Sequence, residues 1–150
     1  MNLLSIGILG LAIVACTGGG KPEKVLRDYI SYRFQDKGQK KEKVLSFLDG
    51  PLKEQMEAMP VDKVESFNQD GKFKLTGFKV VKSRCSDDKC FATYIVKYNS
   101  FLDGKNEKSV ESEIKELAEL SLVEGNWKIY DVKNIKTFHE SQTPLSVYGR

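Results

Sequence analysis

The stretch GKFKLTGFKVVKSRCSDDKCFATYIVKYNSF, Gly71 to Phe101, decides the fold. Before it, apolar residues recur about every 3.6 positions; from Phe73 onward they recur every second position, the repeat of a strand. Phe73 and Leu75 alternate in its first half, then Phe78 and Val80. The phase slips at Gly77, which predicts a β-bulge there. In the second half, Cys90, Ala92, Tyr94, Val96 and Tyr98 share one face, and Phe91, Thr93 and Ile95 share the other. Both faces are fairly apolar, as a central strand requires. The polar residues between the halves predict a turn at Asp87-Asp88, with Cys85 opposite Cys90.

Toward the C-terminus, LDGKN offers the next turn, at Asp103-Gly104. SVESEIKELAELSLVEG is ambiguous. Val110, Ser112 and Ile114 alternate, while Ile114, Leu117, Ala118 and Leu120 also fit a helix. We assign a strand, because EGNW reads as a tight hairpin turn into WKIYDVKNI. The last strand then runs from Trp127 to Ile135, and the segment after His139 has no periodic pattern, so residues 139–150 are expected to be a loose tail.

Toward the N-terminus, KPEKVLRDYISYRFQ predicts a helix. Pro22 suits its first turn, Glu23 faces the helix dipole, and Val25, Leu26, Tyr29, Ile30 and Phe34 fall on one side. KKEKVLSFLDG predicts a short second helix with Val44, Leu45 and Leu48 inward and Gly50 as its stop. PLKEQMEAM and VDKVESF supply further helical turns, separated by Pro60. Helices first and strands last make an α+β domain. Its N-terminal helices pack on one face of a curved, four-stranded antiparallel sheet, and it covers residues 22–138.

The first charged side chain of the 150 residues is Lys21. Ahead of it, Leu3 to Ala15 is an apolar run too short to span a bilayer, which takes about 20 residues. It has the length of a signal-peptide core, with residues 1–15 removed on export. Ile13-Val14-Ala15-Cys16 resembles the lipobox of bacterial lipoproteins. The resemblance implies cleavage before Cys16, a diacylglycerol on its sulfur and an acyl chain such as palmitate on its new amine. Cys16 is then the lipidation site and the lipid bilayer the first partner. Two or more acyl chains anchor stably where one does not. Residues 16–21 form the lipidated cysteine and a flexible tether. The glycines of TGGGK have nothing to pack and lose much entropy on ordering. Those five residues reach about 18 Å at most, so the domain works close to a membrane, in the periplasm or on the cell surface. By the same resemblance, Thr17 after the cysteine favours the outer membrane over the inner one.

With Cys16 lipidated, Cys85 and Cys90 remain, and outside the cytoplasm such a pair is expected to form a disulfide. A metal site is not expected: no second cysteine or histidine pair completes one, His139 being the only histidine. The helices and the sheet together resemble the nuclear transport factor two-like, or cystatin-like, superfamily. PEKVLRDYI, the long hairpin and GNWKIYDV carry that resemblance, which implies a cone between helices and sheet.

Chemistry is harder to find. No nucleophile elbow, phosphate loop, calcium loop or cofactor motif is present, and no catalytic residue is nominated. His139 sits beside the tail as an expected surface residue, Tyr29 is expected in the core, and Asp28 and Asp131 are the acids conceivable at a cavity mouth. Of the charge, Lys21 to Lys43 carries eight basic and four acidic residues, beside the anchor. This reads either as attraction to anionic headgroups or as a solvated helix face. A sequence pI of 8.6 and an export signal argue against nucleic acid. The expectation is a membrane-anchored, non-catalytic binding or accessory domain of the cell envelope, with an envelope protein as its candidate partner. The alternatives are a carrier of an apolar ligand, or a ketosteroid-isomerase-like or dehydratase-like enzyme using the cone. An outward aromatic patch among Phe91, Tyr94, Tyr98 and Tyr130 is the expected contact surface.

Overall fold

The computed structural model describes residues 20–101 and 109–141. Four helices precede four strands: α1 (Pro22–Arg33), α2 (Lys41–Leu45), α3 (Gly50–Ala58), α4 (Val61–Glu65), then β1 (Phe73–Cys85), β2 (Lys89–Phe101), β3 (Ser109–Val123) and β4 (Asn126–Ser141). The strands form one antiparallel sheet in the order β1-β2-β3-β4. The fold is therefore α+β, and the helices lie on one side of the sheet.

Two findings sharpen the sequence reading. The ambiguous segment is a strand over its whole length: it pairs with β2 on one side and β4 on the other, with Ser112, Ala118 and Leu120 buried. The last strand does not stop at Ile135, and residues 139–141 are not part of a loose tail. His139 pairs with Ser112 and Ser141 with Val110, so the long arm of β3 carries β4 to Ser141. The bulge expected at Gly77 is present, with a second one at Val81. Two more, at Tyr130 and Ile135, bend β4.

The core follows from alternation. Cys90, Ala92, Tyr94 and Val96 of β2 and Ala118 and Leu120 of β3 meet Leu26 and Ile30 of α1, Val44 of α2 and Val64 of α4. Each fully buried aliphatic side chain contributes about 1.5–3 kcal/mol relative to an exposed one. Between α2 and α3, the chain runs beside β4. Ile129 donates to Phe47 O and accepts from Asp49 N, both at 2.9 Å. Gly50 then opens α3 instead of simply closing α2. Its φ is +53°, and a Cβ there would lie 2.2 Å from the Tyr130 ring, so both its backbone and its neighbour require glycine.

β2 is central in the sheet, as its two apolar faces predicted, yet the described residues cover only one of those faces. Phe91 on the other is 43% exposed. Its surroundings explain this: Arg84 and Glu119 flank Phe91, Lys82 flanks Thr93, and Lys79 and Lys115 flank Ile95. A charged frame of this kind keeps the face wet.

Candidate functional site

Between α1, α3 and the inner face of the sheet lies a cleft of about 300 Å³. Ile30 and Phe34 form one wall, Leu52 and Phe67 the rim, and Val96, Ile114 and Val132 the floor. Three polar side chains enter it: Arg33, Tyr94 and Glu116, with Tyr29 beside them. A mostly apolar cleft with a few convergent polar groups is the usual form of a ligand site.

Glu116 reaches the cleft because it occupies the inward phase of β3, between Ile114 and Ala118. The Tyr94 hydroxyl donates to its Oε2 at 2.6 Å. Tyr94 is 1% exposed. Burial first, and then the neighbouring carboxylate, push its hydroxyl far above the usual tyrosine range. It is a fixed hydrogen-bond donor, with no proton to release at neutral pH. Arg33 arrives from α1, one helical turn beyond Ile30. Its guanidinium donates through Nη1 to Gln39 Oε1 (2.6 Å) and to Val64 O (3.3 Å), and stacks 4.2 Å over Phe67. Burial pulls its pKa down, opposed by Tyr29 and Tyr32. Gln39 is itself buried and donates back to Arg33 O at 2.7 Å, so the arginine is held in place. Buried Asn68, next to Phe67 in the chain, ties Phe34 to the start of β1. Its amide donates to Phe34 O and Phe73 O and accepts from Phe73 N, all within 2.8 Å.

The candidates from sequence scatter. Cys16 lies outside the described residues, as does the Asp103-Gly104 turn. Cys85 and Cys90 are joined in a disulfide across the β1–β2 turn. Tyr29 packs against Phe47 at 5.9 Å, and burial raises its pKa. Asp28 is not at a cavity mouth: it is exposed and pairs with Lys24 on α1. Asp131 is not there either. It faces away from the helices beside Phe91, Glu119 and Lys133, because the bulge at Tyr130 turns it to the open face. The ring of His139 is exposed as expected, but it is no free-standing surface group: its Nδ1 lies 2.8 Å from the buried Ser112 Oγ. Of the four aromatics expected to form a contact patch, only Phe91 is on the open face. Tyr94 and Tyr98 face the helices, and Tyr130 covers Gly50.

Sequence reasoning missed both charges of the cleft. A signal existed for each. Glu116 is the one charged residue in the series Ser112, Ile114, Glu116, Ala118, Leu120. Arg33 stands seven positions from Leu26 on the apolar side of α1. The basic segment before Lys43 is largely occupied by packing. Arg27 lies over Phe78 and Lys43 over Phe47, and Lys41 donates to Glu57 O and Met59 O. A larger hollow of about 790 Å³ near Asp70 and Asn99 has a mainly polar lining and reaches Phe101 and Ser109. Among the described residues, no group of three or more His, Cys, Asp or Glu could hold a metal ion, and no helix is long and apolar enough to cross a membrane.

No family model matches the chain, and no curated protein matches it. Among solved structures it is similar to the intermembrane space region of the chloroplast protein ARC6, with 14% identity and a TM-score of 0.55. The match covers 75% of this chain and 92% of that one. At that identity the likeness shows the fold alone: a known architecture, carrying no activity with it.

Proposed function

We propose that this chain is a membrane-anchored extracytoplasmic lipoprotein, tethered through acylated Cys16, whose domain is a binding module and not a catalyst. The lipobox-like Ile13-Val14-Ala15-Cys16 and the glycine leash support the anchor. A disulfide between Cys85 and Cys90 agrees with an oxidising compartment. The helices and the curved sheet are read as the cone of a nuclear transport factor two-like domain, with the cleft as its mouth.

One observation carries the binding reading: the apolar cleft of about 300 Å³ keeps a carboxylate and a guanidinium among aliphatic and aromatic walls. Acid–base catalysis needs a group able to exchange its proton beside the reacting atom. Tyr94 is locked as a donor, and Glu116 already accepts its bond. The cleft therefore suits holding a small, largely apolar molecule better than transforming one. Intact-protein mass spectrometry of the chain released gently from its native membranes tests both parts. The mature chain should begin at an acylated Cys16 and carry a small molecule in one-to-one ratio. Ile114→Trp, which fills the cleft, should keep the lipid and lose that molecule. A bare cleft in the wild-type protein would overturn the binding reading, and an unmodified Cys16 would overturn the anchor.

A further inference from the structure

We propose that the cleft takes a small zwitterion with an apolar side chain, a free apolar α-amino acid, holding its ammonium on Glu116 and its carboxylate on Arg33. This rests on the binding reading above and names the ligand class. Arg33 and Glu116 line the same cleft with opposite charges. Among the described residues, neither forms an ion pair. Each is held from behind and left open in front. Glu116 spends Oε2 on Tyr94, and Oε1 has no partner among the described residues. Arg33 spends Nη1 on Gln39 and Val64, and its Nη2 and Nε have no partner among the described residues. Tyr29 lies near both charges: burial raises its pKa, Arg33 opposes that rise and Glu116 adds to it. Both charges line this one cleft.

The chemistry of that space selects the ligand. A purely apolar molecule would take Glu116 Oε1 and the rest of the Arg33 guanidinium out of water with no new partner, which is costly. A molecule with one charge would satisfy one side and strand the other. A zwitterion meets both, through charge-assisted hydrogen bonds to a carboxylate and to the planar guanidinium. Ile30, Leu52, Val96, Ile114 and Val132 then receive an aliphatic or aromatic side chain. The volume lies at the small end of ligand clefts, about 300–1,000 Å³, and suits a single residue. A peptide terminus offers only one of the two charges, so it is the natural rival.

The test is equilibrium dialysis of the mature lipoprotein in detergent against labelled L-phenylalanine, competed by N-acetyl-phenylalanine and phenylalaninamide. The first competitor lacks the ammonium and mimics a peptide C-terminus. The second lacks the carboxylate and mimics an N-terminus. Each should bind about 10- to 100-fold more weakly than phenylalanine, the range for losing one charge-assisted bond. Glycine, without an apolar side chain, should compete no better than they do. Glu116→Gln keeps an acceptor for Tyr94 and should weaken phenylalanine by about 10-fold or more while leaving N-acetyl-phenylalanine unchanged. Equal binding of phenylalanine and either blocked analogue would overturn the proposal in favour of a peptide terminus, and so would no binding of phenylalanine or L-leucine. If that happens while a small molecule still co-purifies in the wild-type cleft, the zwitterion falls and the binding module stands.

Discussion

Tyr94→Phe removes one oxygen from the centre of the domain and leaves its packing intact. The ring stays against Phe78, with centroids 5.7 Å apart. What is lost is the 2.6 Å hydrogen bond to Glu116. Hydrogen bonds to charged acceptors contribute about 1.5–3 kcal/mol. Glu116 is only half-buried, so water replaces part of the loss, and the expected cost is about 1.5–2 kcal/mol at neutral pH. That corresponds to a fall of about 5–10 °C in Tm. The pH dependence gives a second, independent signature. An unfolded tyrosine titrates near pH 10, whereas in the folded chain burial and Glu116 keep Tyr94 protonated well above that. Above about pH 10, the unfolded state releases this proton and the folded state retains it. Wild-type stability therefore falls by up to about 1.4 kcal/mol per pH unit from this group. The phenylalanine variant has no such proton. The stability gap between the two proteins should be full below pH 10 and narrow above it. Denaturant melts of both proteins at several alkaline pH values measure this. A gap near zero at neutral pH, or one that stays constant through about pH 11, would refute the reasoning.

Gly50→Ala should cost about 2–4 kcal/mol, from a left-handed backbone and a clash with Tyr130 together; thermal melts read it, and a loss under 1 kcal/mol would show that the ring moves aside freely. Asn68→Ala should cost about 2–4 kcal/mol, because buried groups of Phe34 and Phe73 lose their partners, and urea titration checks it. Reducing the Cys85–Cys90 bridge, which closes a separation of five residues, should cost about 2 kcal/mol on a chain-entropy estimate. Melts with and without reductant should show this, and two free thiols in the non-reduced mature protein would contradict the bridge itself.

The fold was legible where periodicity was strong. Phe73 to Phe101 alternates clearly, and α1 carries Leu26 and Ile30 one turn apart. The helix-or-strand choice at Ser109–Val123 could be made only through the neighbouring EGNW turn, because Ile114 and Ala118 satisfy both repeats. The end of β4 was not legible. Its outer positions carry Lys136, Glu140 and the small polar Thr137, and only pairing with β3 orders them. The site was hidden for a different reason. Reading strands for their apolar residues passes over a single charge in the inward phase, and that charge, Glu116, is what marks the cleft. Asp28 and Asp131 attracted attention as acids, but a one-residue bulge and an exposed helix position turn both away from the cleft.

The anchor at Cys16 is the claim on which location, compartment and working distance all depend. Its most direct measurement is metabolic labelling of the full chain with radioactive palmitate in a bacterial host, followed by membrane fractionation under high salt. The account predicts a labelled protein that stays with membranes, and a Cys16→Ser chain that takes no label and is released. Label retained by Cys16→Ser, or an unlabelled wild-type chain that washes free, would contradict it.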